Sequence, residues 1–524
     1  MRRMSVAVIA AATCLVAAPA PALADEDPPL AQGNPSAWSF TPVTQSNIDA
    51  AVAALPGIVA DVRARSGVPG IAVAVVHDGK VLLTEGYGER YAGSGQPVNA
   101  DTVFQMASVS KPVGATVVSR AIANGIASWN DPITDFLPWF ALENPYVSSQ
   151  VTIGDMYSHR SGLPGHAGDD LEDIGFDRTT ILKRLRYLPL NSFRDTYAYT
   201  NFGLTAAGEA VATAARTTWA DLADTLLFTP AGMTRSSFRF GDYLSRENKA
   251  LTNQKVDGVW QRGETRNPQA QSPAGGLSST ANDMARWLML QLGNGALDGQ
   301  QLIPGAVLQI MRQPHSISGP AREPDARSSF YGYGIGTGVD GTAHVVWSHS
   351  GAFFLGAGTV VNMLPDADLG IAVLGNGTPT GQVEAIASSF MDIATTGRIQ
   401  RDWLAGYEMV FSPQFVDKSV LAGKEPPAGA RPAAPLTAYT GAYRNDYVGT
   451  ADVIRQRRGL ALVLGPAGRR TTFPLTPWGG DRFSYQPTGE NALGRSAVTF
   501  DRAAGTVTIE QLNEYGQGTL TRVG

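Results

Sequence analysis

The run Thr102-Val-Phe-Gln-Met-Ala-Ser-Val-Ser-Lys111 leads into an apolar segment that keeps helical spacing to about Ile126. An extended approach turns into a helix at Ser108, so a hydroxyl and an ammonium stand at i and i+3, neighbours on one helix face. Ser108 falls at the helix N-terminus, where the macrodipole favours a developing oxyanion. A lysine buried beside it loses proton affinity by desolvation and can take the serine proton. Alone, Ser-x-x-Lys is a weak signal and reads equally as a solvated lysine near a capping serine. Its place at the opening of an apolar helix gives it weight.

Outward from this segment the pattern is that of an α/β (α+β) fold. Upstream, apolar runs at 70–77 and 80–86 flank Asp78-Gly79, a two-residue turn signal, and predict a β-hairpin. Before it, residues 46–65 carry Ile48, Val52, Leu55, Ile58 and Val62 at helical spacing with Ser46 as N-cap. Downstream, helices are predicted at 204–215, 282–292 and 382–407, and strands at 345–348, 356–364 and 369–375. Strands at both ends with helices between them imply an antiparallel sheet flanked by helices, plus an inserted helical subdomain.

Residues 1–24 read as a signal peptide: Arg2 and Arg3, an apolar run from Val6 to Val16, then Ala22-Leu23-Ala24 before Asp25. The larger, mixed region is expected over 40–410 and a linker over 411–435, Pro- and Ala-rich from Ala422. Residues 436–524 show short alternating runs broken by Gly and Pro and predict a small all-β barrel or sandwich.

Composition excludes several chemistries. The one cysteine, Cys14, lies in the leader, which removes thiol catalysis and cysteine-ligated zinc from the exported chain. A formal net charge of −5, lower still without Arg2 and Arg3, is unsuited to nucleic acid. No histidine or carboxylate cluster has metal-ligand spacing, so no metal or cofactor is expected. No stable membrane insertion is expected once the leader is cleaved, and the destination is periplasmic or secreted.

Two further elements bear on chemistry. In Tyr199-Thr-Asn201, a phenol near a cation ionises more easily and serves as base or proton donor, while Asn201 can bond a substrate amide. Tyr197 is a rival two residues away. In Trp347-Ser-His-Ser-Gly-Ala352, Gly351 lets substrate approach the backbone, and the Ala352 N–H can pair with that of Ser108 as an oxyanion hole. His349 and Ser350 complete the candidate substrate-binding strand. Residues 241–268, with Trp260, and 316–331 are candidate pocket walls.

Taken in order, these segments, with 151–164, Pro230-Ala-Gly-Met233 and Ala274-Gly-Gly-Leu277, resemble the serine β-lactamase and penicillin-binding-protein superfamily over Ile48 to Thr395. The likeness is to the branch of class C β-lactamases, D,D-peptidases and β-lactamase-like esterases. It implies Ser108 as nucleophile, Lys111 and Tyr199 as the proton-transfer pair, Asn201 as a substrate contact and the strand at His349 as a wall of the site. The tail from Leu436 resembles the lipocalin-like domain often appended to such hydrolases. True β-lactamases often open the third motif with lysine, where this chain has His349. A histidine gives a weaker, pH-dependent hold on a substrate carboxylate. The expectation is therefore an exported acyl-serine hydrolase of amide or peptide bonds, acting on unusual or D-amino-acid-containing peptides as a carboxypeptidase or peptidase. A carboxylesterase or β-lactamase, and a catalytically idle penicillin-binding sensor, are the alternatives.

Overall fold

A computed structural model describes residues 41–492 and 494–523, so the predicted leader lies outside the described residues. Helix α1 (Gln45–Ser66) opens on Thr44, whose hydroxyl accepts the Asn47 N–H at 3.2 Å, rather than on the predicted Ser46. It closes at Gly67, in the left-handed region with φ 73°, the C-terminal stop that glycine supplies without strain. The hairpin follows as β1 (Gly70–His77) and β2 (Lys80–Gly88), with Asp78 and Gly79 both at positive φ as a tight turn requires.

Past the turn at Ser108, α2 (Ser110–Ala123), α3 (Asp169–Asp173), α4 (Asn201–Ala214) and α5 (Ala281–Leu292) build the helical part of the molecule. The chain then returns to the sheet through β3 (Ser316–Gly319), β4 (Ser329–Tyr331), β5 (Gly336–Val339), β6 (Val345–Phe353), β7 (Ala357–Leu364) and β8 (Leu369–Gly375). The eight strands run in the order β2-β1-β8-β7-β6-β5-β4-β3. The first hairpin thus docks on the last strand, with Ile71 opposite Gly375 and His77 opposite Leu369. β1 and β8 lie in the interior of the sheet, which is why both read as continuous apolar runs instead of alternating.

The predicted helix over 382–407 is two helices, α6 (Gln382–Thr396) and α7 (Trp403–Phe411), parted at Gly397 with φ 76°. Leu404 of α7 is buried in the same core as Ile386 and Phe390 of α6, so apolar spacing carries across the break and hides it. α1 and α6 cover one sheet face, while α5 covers the other with Leu288 and Leu292 beside Gly370 of β8. The catalytic candidates lie on this second side.

The C-terminal part is a closed eight-stranded barrel running from Gly441–Asn445 to Thr519–Val523, filled by Tyr443, Leu462, Phe483 and Phe500. Closure leaves it no free sheet edge. Its contacts with the larger region beside the candidate site include three made by side chains. Tyr447 donates its hydroxyl to Asp170 Oδ1 at 2.5 Å, Tyr515 donates to Gly165 O at 2.5 Å, and Glu490 accepts the Phe354 N–H at 2.5 Å.

Candidate active site

Ser108 lies in a single 3₁₀ turn, Ala107–Val109, placed ahead of α2 rather than within it. The turn is held from three directions. Thr359 Oγ1 donates to Met106 O at 2.7 Å, Met106 N donates to Leu277 O at 2.9 Å, and Ser110 Oγ joins Ala107 O at 2.6 Å to the Leu277 N–H at 2.9 Å. These anchors keep Ala107 at φ 45°, a left-handed conformation costing about 1 kcal/mol for a residue with a Cβ.

Lys111, fully buried in the first turn of α2, directs Nζ to Ser108 Oγ at 3.0 Å, Asn201 Oδ1 at 2.8 Å and Ala274 O at 3.0 Å. Burial brings its pKa down to about 7, with Asp169 opposing the shift. The neutral amine has two N–H groups and one lone pair. Two of its partners are carbonyl oxygens that can only accept, so they take the N–H groups and leave the lone pair facing the Ser108 hydroxyl. This geometry turns the Lys111 lone pair to the Ser108 hydroxyl, as proton abstraction would require.

Tyr199 sets its ring 4.5 Å from Lys111 Nζ, and its hydroxyl is directed at Ser108. The segment is fixed by His166 N donating to Tyr199 O at 2.8 Å, Ala198 N to His159 O at 2.8 Å and Thr200 N to His159 Nδ1 at 3.2 Å. Desolvation pushes the Tyr199 phenol up, well past its ordinary range. Against the expectation of an easily ionised phenol, burial favours the protonated form of Tyr199. Asn201, at the start of α4, has its amide engaged at both ends, Oδ1 with Lys111 and Nδ2 with Asp169 Oδ2 at 2.9 Å. A substrate amide meets only its second N–H and second lone pair.

The third motif runs along β6. Gly351 lies opposite Thr359, and a Cβ on it would stand 2.4 Å from Met106 O and 3.0 Å from the Ser108 nitrogen, so the strand passes directly beside Ser108. Ala352 follows in the same strand. His349 faces the site side but is not a pH-dependent cation as the sequence suggested. Its Nδ1 donates to Ser350 O at 2.6 Å and its Nε2 accepts the Tyr331 hydroxyl at 2.7 Å, while burial lowers its pKa to about 3. A neutral ring with both nitrogens engaged gives a substrate carboxylate no charge to hold. Ser350 alternates to the opposite face, where its side chain meets Glu384, so its hydroxyl is removed from the site.

The beta-lactamase family profile matches residues 49–395, more than half of the chain. The chain belongs to the beta-lactamase family. A second profile, a domain of unknown function (DUF3471), matches residues 425–516 and so covers most of the barrel. Among curated relatives, this family member is 29% identical to penicillin-binding protein 4 of Amycolatopsis lactamdurans, over 71% of this chain and 96% of that one. It is 24% identical to the unguisins hydrolase ungD of Aspergillus violaceofuscus, over 74% of each chain. The octameric penicillin-binding protein homologue from Pyrococcus abyssi shares the fold with a TM-score of 0.57 at 18% identity, over 90% of this chain and 99% of that one.

Three participants in this beta-lactamase-family site were not singled out from the sequence. Ala274 contributes only a carbonyl, within a segment whose glycines were its visible signal. Tyr331 reaches His349 from the predicted 316–331 wall. Asp169 follows His166 by three residues, at 3.1 Å from its Nδ1, but lies far from Asn201 in sequence. Trp260, by contrast, is no pocket wall: its Nε1 donates to Ser66 O at 3.0 Å and the ring packs with the α1 core across the sheet.

Proposed function

We propose that this family member is an exported hydrolase that cleaves amide or ester bonds through an acyl-enzyme on Ser108. The observation that carries the reading is the lone pair of Lys111, aimed at Ser108 by Asn201 Oδ1 and Ala274 O. Lys111 takes the hydroxyl proton as Ser108 Oγ bonds to the carbonyl carbon, whose π electrons move to the oxygen. The Ser108 and Ala352 N–H groups receive that oxyanion beside Gly351. As the tetrahedral intermediate collapses, the C–N or C–O bond breaks and the leaving group gains a proton from the neutral Tyr199 hydroxyl. The proton held by Lys111 returns to Tyr199. Water then repeats the sequence in reverse and frees the acid.

The neutral His349 favours bonds without an adjacent free carboxylate, hence peptidase or esterase action over removal of a C-terminal residue. Relatives named as a penicillin-binding protein and as an unguisins hydrolase support an acyl-transfer substrate. Intact-mass spectrometry of the protein with a fluorophosphonate, a penicillin and an activated ester tests the reading. An adduct mapped to Ser108, absent from Ser108→Ala, is the expected result. A folded wild type that no reagent acylates at Ser108 sinks it in favour of an idle binding protein.

A further inference from the structure

Helix α3 stands between the proton-transfer pair and the barrel. On its inner side, Asp169 Oδ2 accepts from Asn201 Nδ2 at 2.9 Å and faces His166 Nδ1 at 3.1 Å. The amide of Asn201 has one accepting and one donating end, and a carboxylate only accepts. Asp169 therefore decides which way Asn201 faces and presents an oxygen, not an NH₂, to Lys111. The other carboxylate oxygen, Oδ1, is buried with no hydrogen-bond partner among the described residues, and the side chain is 8% exposed. A half-satisfied buried carboxylate is costly for a packing role alone.

The outer side of α3 is tied to the barrel. Besides the Tyr447 bond to Asp170, Asp173 accepts from Glu490 N at 2.9 Å, Asn491 N at 3.0 Å and Asn491 Nδ2 at 3.0 Å. Glu172 pairs with Arg266 at 2.6 Å. A shift of the barrel would thus shift Asp169.

We propose that Asp169 is a positioning residue for proton transfer at Ser108: held in place by the barrel, it turns the Asn201 oxygen toward Lys111 and supports the ammonium formed when Lys111 takes the serine proton. The inference rests on the reading of Ser108 and Lys111 as the acylation pair. The other groups facing Lys111 supply no competing charge in this state, since burial holds His159 and His349 neutral and Tyr199 protonated. Around Asp169 stand His166, Asp170, Glu172, Asp173, Arg266, Tyr447 and Tyr515.

The test is the pH dependence of Ser108 phosphonylation by a fluorophosphonate, in which the O–P bond forms as fluoride leaves, and of activated-ester hydrolysis, in the full chain. Acylation needs Lys111 neutral, so the wild-type rate rises with pH through the Lys111 titration near 7. Asp169→Asn removes the charge that favours the ammonium, so the acid limb moves to lower pH, by on the order of one unit. The plateau falls because the base is weaker. Asp169→Glu keeps the charge and holds the limb near its wild-type place. A merely structural Asp169 lowers the rate at every pH without moving the limb, and an unmoved or raised limb in active Asp169→Asn overturns the proposal. Should Asp169→Asn not fold, Asp169→Ser is read on the same limb. A wild type that never labels at Ser108 overturns the acyl-serine reading itself, whatever the variants do.

Discussion

A methyl group on Gly351 would stand 2.4 Å from both Met106 O and Thr359 Oγ1, two atoms already bonded to each other to hold the nucleophile turn. Neither can retreat without releasing Ala107 from its left-handed conformation. Gly351→Ala is expected to cost about 1–3 kcal/mol of stability, as overpacking does, and to lower kcat by two orders of magnitude or more on the order of oxyanion-hole losses. Thermal melts and single-turnover acylation separate the two effects. In the proposed mechanism Ser108 and Lys111 act as a unit, so Ser108→Ala and Lys111→Ala are each expected to remove nearly all turnover, with the double variant hardly worse. Additive losses in steady-state kinetics would contradict the shared proton transfer.

Among the elements, the segment carrying His159 depends on one buried carboxylate. Asp155 caps its own short helix with Thr152, and it binds Arg160 at 2.8 Å and Arg194 Nη2 at 2.8 Å while itself 0% exposed. Asp155→Ala strips the cap and both ion pairs and leaves two arginines to water, so about 3 kcal/mol of stability is lost. Chemical denaturation measures that loss, and the loosening of His159 and Tyr199 should show as a fall in kcat larger than the change in KM. Much of this scale was legible in the chain. The hairpin, α1, α2 and the last three strands announce themselves by periodicity and turn residues, and Ser108 with Lys111, or Tyr199 with Asn201, stand within one turn or one short segment of each other. What was hidden has no local signal. Asp169 meets Asn201 only after the chain folds back, Ala274 acts through a main-chain oxygen that any residue carries, and the neutrality of His349 follows from its burial beside Lys111 in the folded site. Ser350 was misjudged because adjacent residues of a strand face opposite ways.

For the whole molecule, the join between hydrolase and barrel gathers Glu172, Asp173 and Glu490 around the single guanidinium of Arg266, all of them buried. One cation cannot neutralise three carboxylates, and desolvation raises Glu172 and Glu490 each to about 7. Since these groups hold protons in the folded state that the unfolded chain has released, their contribution to stability falls as pH rises from the ordinary glutamate range through about 7. Limited proteolysis in the Pro- and Ala-rich segment that precedes the barrel is expected to be slower at mildly acid pH than at alkaline pH. Arg266→Met should speed it at neutral pH, by leaving the carboxylates unopposed.

The pairing of β1 with β8 has a consequence for synthesis of the chain. Gly70–His77 must wait for Leu369–Gly375 before its second edge is covered. With ribosomes adding roughly 5–20 residues per second, that wait is roughly 15–60 s. Throughout it, a seven-residue apolar edge is a template for the same strand on a neighbouring nascent chain. Fragments ending before Leu369 should accumulate as aggregates even when they contain every residue of the nucleophile turn, and yield of the full chain should respond to holdase chaperones more than to stabilising changes in the finished fold.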